Sequence, residues 1–212
     1  MWELIWPAIL ETFHMVIPST IFAVILGFIL AIVLAVTDES GLRPNKLIYK
    51  ILDFVVNILR SFPFLILMVA ISPFTKVIIG TSLGETAAIV PLTIATAPFV
   101  ARVIEAAFKE VDPGVIEAAK SFGASDSQII FKVMVKEAIP AILSGITLTI
   151  ISLIGYSAMA GTIGAKGLGN LAIRYGHQRY QTDVMIVTVI VLIIIVQALQ
   201  SLGNYLYKRL SK

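Results

Sequence analysis

The chain contains no cysteine, which excludes disulfides, thiolate metal sites and a cysteine nucleophile. Charge is scarce as well: 14% of its 212 residues are Asp, Glu, Lys or Arg, against 58% that are hydrophobic. Soluble domains carry about 25% charged and about 45–50% apolar residues. This composition, with a mean hydropathy of +0.96, therefore belongs to an integral membrane protein. The net charge of +3 is no nucleic-acid signal, because the basic residues sit in connections between apolar runs. The phosphate-binding pattern G-x-x-x-x-G-K-[ST] is missing too. The glycines at Gly161, Gly164, Gly167 and Gly169 have the wrong spacing and follow an apolar run rather than a strand. They suit a tight turn or a close helix approach. A catalytic constellation is equally hard to assemble. Ser157 stands in Tyr156-Ser157-Ala158-Met159 without a nucleophile elbow, and no third group orients His177. We expect no catalytic residue, no metal site and no nucleotide hydrolysis on this chain alone.

What is present is long apolar sequence. The runs Thr12–Thr37, Ala138–Ala165 and Val184–Tyr207 each exceed the ~20 residues that cross a bilayer. Ser61–Thr75 and Thr86–Ala101 are shorter, and each carries two prolines, Pro63 with Pro73 and Pro91 with Pro98. Short, proline-interrupted spans are tolerated where neighbours or a cavity satisfy the freed carbonyls. These two either line a pathway or are kinked only for packing. The expected architecture is all-α: one membrane domain over residues 1–212, with five spans near 12–37, 57–79, 84–103, 138–165 and 184–207. A polar insert occupies about 104–137.

Orientation follows from the basic residues. None precedes Arg43. Arg43, Lys46, Lys50 and Arg60 follow the first span; Arg102, Lys109, Lys120, Lys132 and Lys136 surround the insert; Lys208, Arg209 and Lys212 end the chain. The other face holds Lys76, Lys166, Arg174 and Arg179. The positive-inside rule then puts the N-terminus outside, and the insert and C-terminus in the cytoplasm. The first segment is not expected to be a cleaved signal, since it lacks a basic n-region. Trp2 and Trp6 suit an interfacial anchor.

The insert has local helix grammar. Asp112 can cap a helix, Pro113 suits its first position, and Gly123 can take a left-handed conformation just past its end. Ser125 and Gln128 form the S-x-x-Q pattern of a capping box for a second helix. Val115, Ile116, Ala119 and Phe122 fall on one apolar face. A first helix of about ten residues is marginal in water alone. Its apolar face packs either under the protein's own spans or in a groove on a partner.

Glu117-Ala118-Ala119, with Gly123 four residues on, resembles the EAA loop of ABC-importer permeases. RSFPFLILM, the segment from Pro73 to Ala107, and GYSAMAGTIGAKGLGNLAIRYG extend the likeness over nearly the whole chain. The family it resembles is the methionine ABC-importer permease. That resemblance implies a bacterial inner-membrane homodimer of five-span subunits with two ATPase subunits and an extracellular substrate-binding protein. ATP and magnesium would sit on the ATPase, and no cofactor on this chain. It also implies that Val115, Ile116, Glu117, Ala118, Ala119, Phe122 and Gly123 dock on that ATPase. One position departs: Lys136 stands where the loop pattern has proline, so the second helix is expected to run on toward Ile139.

Tyr156, Ser157 and Met159 fall within the fourth span. They line a constriction between two copies or pack in the span core; methionine suits either. They offer no charged pocket for an amino acid, so weak binding in a conduit fed by a separate binding protein is expected. Another amino acid or small polar solute is the alternative substrate. A channel or secondary carrier is the alternative class, but the long runs hold almost none of the ionisable groups that ion coupling uses.

Overall fold

The computed structural model describes residues 2–211. Its elements are helical: α1 (Trp2–Thr37), α2 (Lys46–Ser61), α3 (Phe64–Ala70), α4 (Ser72–Ile79), α5 (Glu85–Lys109), α6 (Pro113–Ser121), α7 (Asp126–Gln128), α8 (Val135–Met159), α9 (Leu168–Leu171) and α10 (Thr182–Leu210). A π-helical turn, Ile129–Met134, joins α7 to α8 without a break, so Asp126–Ile163 forms one continuous helix. Among the described residues four helices are long and apolar enough to cross a bilayer: α1, α5, the α7–α8 helix and α10. A fifth crossing requires the pair α2–α3, which bends by 103°.

The apolar run at 57–79 is therefore shared by the end of α2, α3 and α4. Its prolines explain the breaks. Phe62 is extended (φ −72°, ψ 128°), as a residue before proline prefers, and Pro63 caps α3. Pro73 lies at the start of α4. Pro91 and Pro98, by contrast, are both buried within an unbroken α5. α5 is the most buried of the four long helices, whereas α10 is largely exposed.

α1 and α5 run parallel in close contact. His14 reaches Thr86, Ser19 reaches the Ile89 carbonyl, and Gly27 lies against Ala97 and Val100. A β-carbon at Gly27 would stand 2.8 Å from the Ala97 carbonyl oxygen, so only glycine permits this approach. α8 runs antiparallel to α5: Gly145 meets Val103 near one end, and the Gly84 N–H donates to the Ile163 carbonyl near the other. Two large clusters fill the core. One, including Ala97, Val100, Ile104, Phe108, Ile129 and Met134, lies at the insert end; the other, including Met15, Phe64, Met68, Leu92 and Leu153, lies toward the opposite end.

Candidate functional site

The insert is built by its caps. The Asp112 carboxylate accepts the Gly114 N–H at 2.8 Å, and Pro113 opens α6 where a missing N–H costs nothing. At the other end Gly123 takes φ +76°. Its N–H donates to the Lys120 carbonyl at 2.9 Å and the Ala124 N–H to the Ala119 carbonyl at 3.1 Å. This is a Schellman motif, which satisfies carbonyls the helix leaves open. The capping box forms next: the Ser125 N–H donates to Gln128 Oε1 at 2.9 Å, and the Gln128 N–H to the Ser125 hydroxyl at 3.4 Å. The second helix does not end at Ile139. It continues through the π turn, exposed Lys136 and Pro140 into α8. An exposed ion pair, Arg43 to Asp126 at 2.5 Å, ties the α1–α2 connection to the insert.

The apolar residues of α6 do not share one face. Ile116 and Ala119, with Ala124, pack inward on the cluster around Phe108 and Met134. Val115, Ala118 and Phe122 point outward, Phe122 at 92% exposure, while Glu117 is exposed on a different side of the helix. Spacing by three and then four residues places the first three in one strip. The sequence grouping missed this because 115 and 116 are adjacent and both apolar, and periodicity alone does not say which way a short helix turns. Beneath α6, a cavity of about 410 Å³ is lined by Asp38, Leu42, Lys109, Glu117, Lys120 and Met134, among others. Burial raises the Asp38 pKa, but the N–H and hydroxyl of Ser40 and the Lys109 ammonium outweigh that and lower it to about 2.

Next to this cavity lies a charge network of which only Arg102 and Lys109 had entered the orientation count. Glu105 is 3% exposed. Its carboxylate takes Arg102 at 2.8 Å, Lys109 at 2.9 Å and the Tyr49 hydroxyl at 3.1 Å. Arg102 also pairs with Asp53 and donates to Asn57 at 3.0 Å; Lys109 reaches Asp38 at 3.0 Å. The signal was available: Arg102, Glu105 and Lys109 follow helical spacing. The pentapeptide Val-Ile-Glu-Ala-Ala also occurs twice, at 103–107 and 115–119. Glu105 in the first copy is buried in the network, and Glu117 in the second is exposed.

The proposed path residues divide. Tyr156 is half-buried and stacks on Phe64, with centroids 4.9 Å apart and planes at 22°. Ser157 is buried and donates to the Ile154 carbonyl at 2.7 Å, so its hydroxyl is used within its own helix and lines nothing exposed. Met159 ends α8 and is 43% exposed. The chain then makes a single 3₁₀ turn, Ala160–Ile163, and reverses at Gly164 and Gly167, both at positive φ. Two anchors hold this reversal: the Glu85 carboxylate accepts the Lys166 N–H at 3.1 Å, and the Thr12 hydroxyl accepts the Leu168 N–H at 2.9 Å. Among the described residues no group of three His, Asp or Glu side chains could hold a metal ion.

Comparison with known proteins puts this arrangement in context. A permease from Vibrio cholerae, named as a probable D-methionine transport system permease protein MetI, is 51% identical over 98% of this chain and 92% of its own length. The methionine import system permease protein MetP of Bacillus subtilis is 47% identical over 98% and 94%. A solved chain of the MetNI methionine ABC transporter in an inward-facing conformation superposes with a TM-score of 0.97 at 40% identity, covering 100% of this chain and 98% of that one. Residues 23–212 match the family described as binding-protein-dependent transport system inner membrane component, and the chain belongs to that family.

Proposed function

We propose that this chain is the permease subunit of a methionine ABC importer. It crosses the inner membrane several times, pairs with a second copy, and is driven by ATP hydrolysed on a separate subunit. An external binding protein delivers the solute. Methionine as the substrate is supported by the names and high identity of the relatives. The lack of a charged pocket around Tyr156 and Met159 is consistent with a conduit whose selectivity lies largely in that binding protein. The excess of Lys and Arg on the insert side supports an external N-terminus and a cytoplasmic C-terminus.

The observation that carries the coupling role is the outward strip Val115–Ala118–Phe122, on a helix that also exposes Glu117 and is capped at both ends. A phenylalanine exposed at 92% on a polar connection has reason to be there if a partner covers it. Ile116 and Ala119 hold α6 to the body and shape the strip from beneath; Gly123 ends it. Burying the Phe122 ring against a groove would contribute roughly 1.5–3 kcal/mol. The exposure of Met159 at the end of α8 supports reading it as a closing point between two copies, with Tyr156 one turn earlier in the same helix.

The test is capture of the ATPase and methionine uptake by Phe122→Asp and Val115→Asp, normalised to inserted, dimeric permease. Both should lose capture and uptake together. Wild-type capture by both would remove α6 as the docking element. Reporter fusions at the C-terminus and between residues 166 and 183 should report opposite sides of the membrane; the same side for both would refute the topology.

A further inference from the structure

α2 is weakly packed. Val56 is its one buried residue, and Leu47, Ile51, Phe54 and Ile58 are exposed. What holds it to α5 is polar. Tyr49 reaches Glu105, while Arg102 grips Asp53 and Asn57. Glu105 is common to both arms: one carboxylate oxygen takes Arg102, and the other takes Lys109 and Tyr49. A buried carboxylate bearing two cations and a phenol can hold a fixed geometry, because each partner compensates the charge that burial would otherwise penalise. Carboxylates are almost never this fully buried unless they are paired, and here the pairing joins two helices.

The position of this hub matters. Glu105 lies one turn before the end of α5, and three residues connect that end to α6. On the other side, α2 leads through the 103° bend to α3, whose first residue, Phe64, stacks on Tyr156. Tyr156 is three residues from Met159. We propose that Glu105 is a positioning residue for transport: it makes α2 move with the docking end of α5, so that displacement of the docked insert reaches Phe64 and Tyr156. The inference rests on the docking reading of α6 above. It adds a side-chain contact by which docking is transmitted, and it requires no contact between Glu105 and solute or ATPase.

Glu105→Gln keeps the shape and the Tyr49 acceptor but removes the charge that joins Arg102 to Lys109. In the complete complex with ATPase and binding protein, this variant should capture the ATPase as the wild type does and still hydrolyse ATP. Methionine taken up per ATP hydrolysed should fall by about fivefold or more, the lower range of ordinary coupling between sites. This ratio counts only assembled, hydrolysing complexes, so poor folding does not lower it. Tyr49→Phe combined with Asp53→Ala and Asn57→Ala removes the α2 side chains that Glu105 and Arg102 hold while leaving Glu105 in place, and should show the same lowered ratio; it decides the matter if Glu105→Gln does not insert. A wild-type ratio in the triple variant, or in an inserted Glu105→Gln, overturns the proposal. So does loss of ATPase capture by Glu105→Gln, which would mean that the carboxylate only shapes the docking helix. Failure of the docking reading itself is read separately, in the Phe122→Asp and Val115→Asp captures.

Discussion

Gly123 gives the sharpest test of how α6 is presented. Its φ of +76° lies in the left-handed region, and nothing stands within 4 Å of where a β-carbon would be. A substitution there meets no neighbour, so its cost is conformational alone. An L-residue loses roughly 1–2 kcal/mol in this region, with β-branched residues at the upper end and asparagine the least affected. The alternative backbone would break both Schellman bonds, to Lys120 and Ala119. α6 has nine residues and little stability of its own, so most of that cost should appear as loss of the docking-competent shape. A loss of 1–2 kcal/mol corresponds to about a 5–30-fold change in an equilibrium. Gly123→Asn, →Ala and →Val should weaken ATPase binding in that order, with valine reaching about the full range. The assay is titration of the ATPase onto dimeric permease in detergent, with circular dichroism as the control for insertion-competent folding. Wild-type affinity in Gly123→Val, or asparagine as damaging as valine, would refute the reasoning from left-handed geometry.

Other consequences follow from the same structure. Gly27→Leu should force α1 from α5, since even a β-carbon would meet the Ala97 carbonyl at 2.8 Å; overpacking costs of about 1–3 kcal/mol predict a lower thermal midpoint in detergent, and an unchanged midpoint would show that the helices are not so close. Cysteine at Met159 in this cysteine-free chain should cross-link two copies in the closed state, whereas absence of a cross-link in every nucleotide state, with a control pair elsewhere, would remove Met159 from the midline. Asp38 has a folded pKa lowered to about 2 from an ordinary 3.8. Its contribution to stability is therefore present above about pH 4 and lost as pH falls through about 2. Hydrogen exchange at residues 38–43 should accelerate over that window in the wild type, and Asp38→Asn should flatten the dependence.

Several features were legible in the sequence because their physics is local. The membrane class follows from composition. The caps at Asp112, Pro113, Gly123 and Ser125–Gln128 depend on residues within a turn of one another, and the structure forms each of them. Direction and contact were not legible. Two pairs of prolines read alike, yet Pro63 and Pro73 start new helices while Pro91 and Pro98 sit in a continuous one. Local propensity favours a break in both cases, and α5 lies sandwiched between α1 and α8, where packing can hold it straight. The same five residues, Val-Ile-Glu-Ala-Ala, bury Glu105 and expose Glu117, because only the first copy faces the cations and phenol brought by its own helix and by α2. Ser157 turns to its own backbone, and Ile116 and Ala119 turn inward. In each case a side chain's surroundings come from helices far away in sequence, which no spacing within the element can specify. The sequence alone determined the membrane class and the caps of the insert, because both rest on local chemistry; the tertiary packing decided where helices break and which of their faces remain free to act.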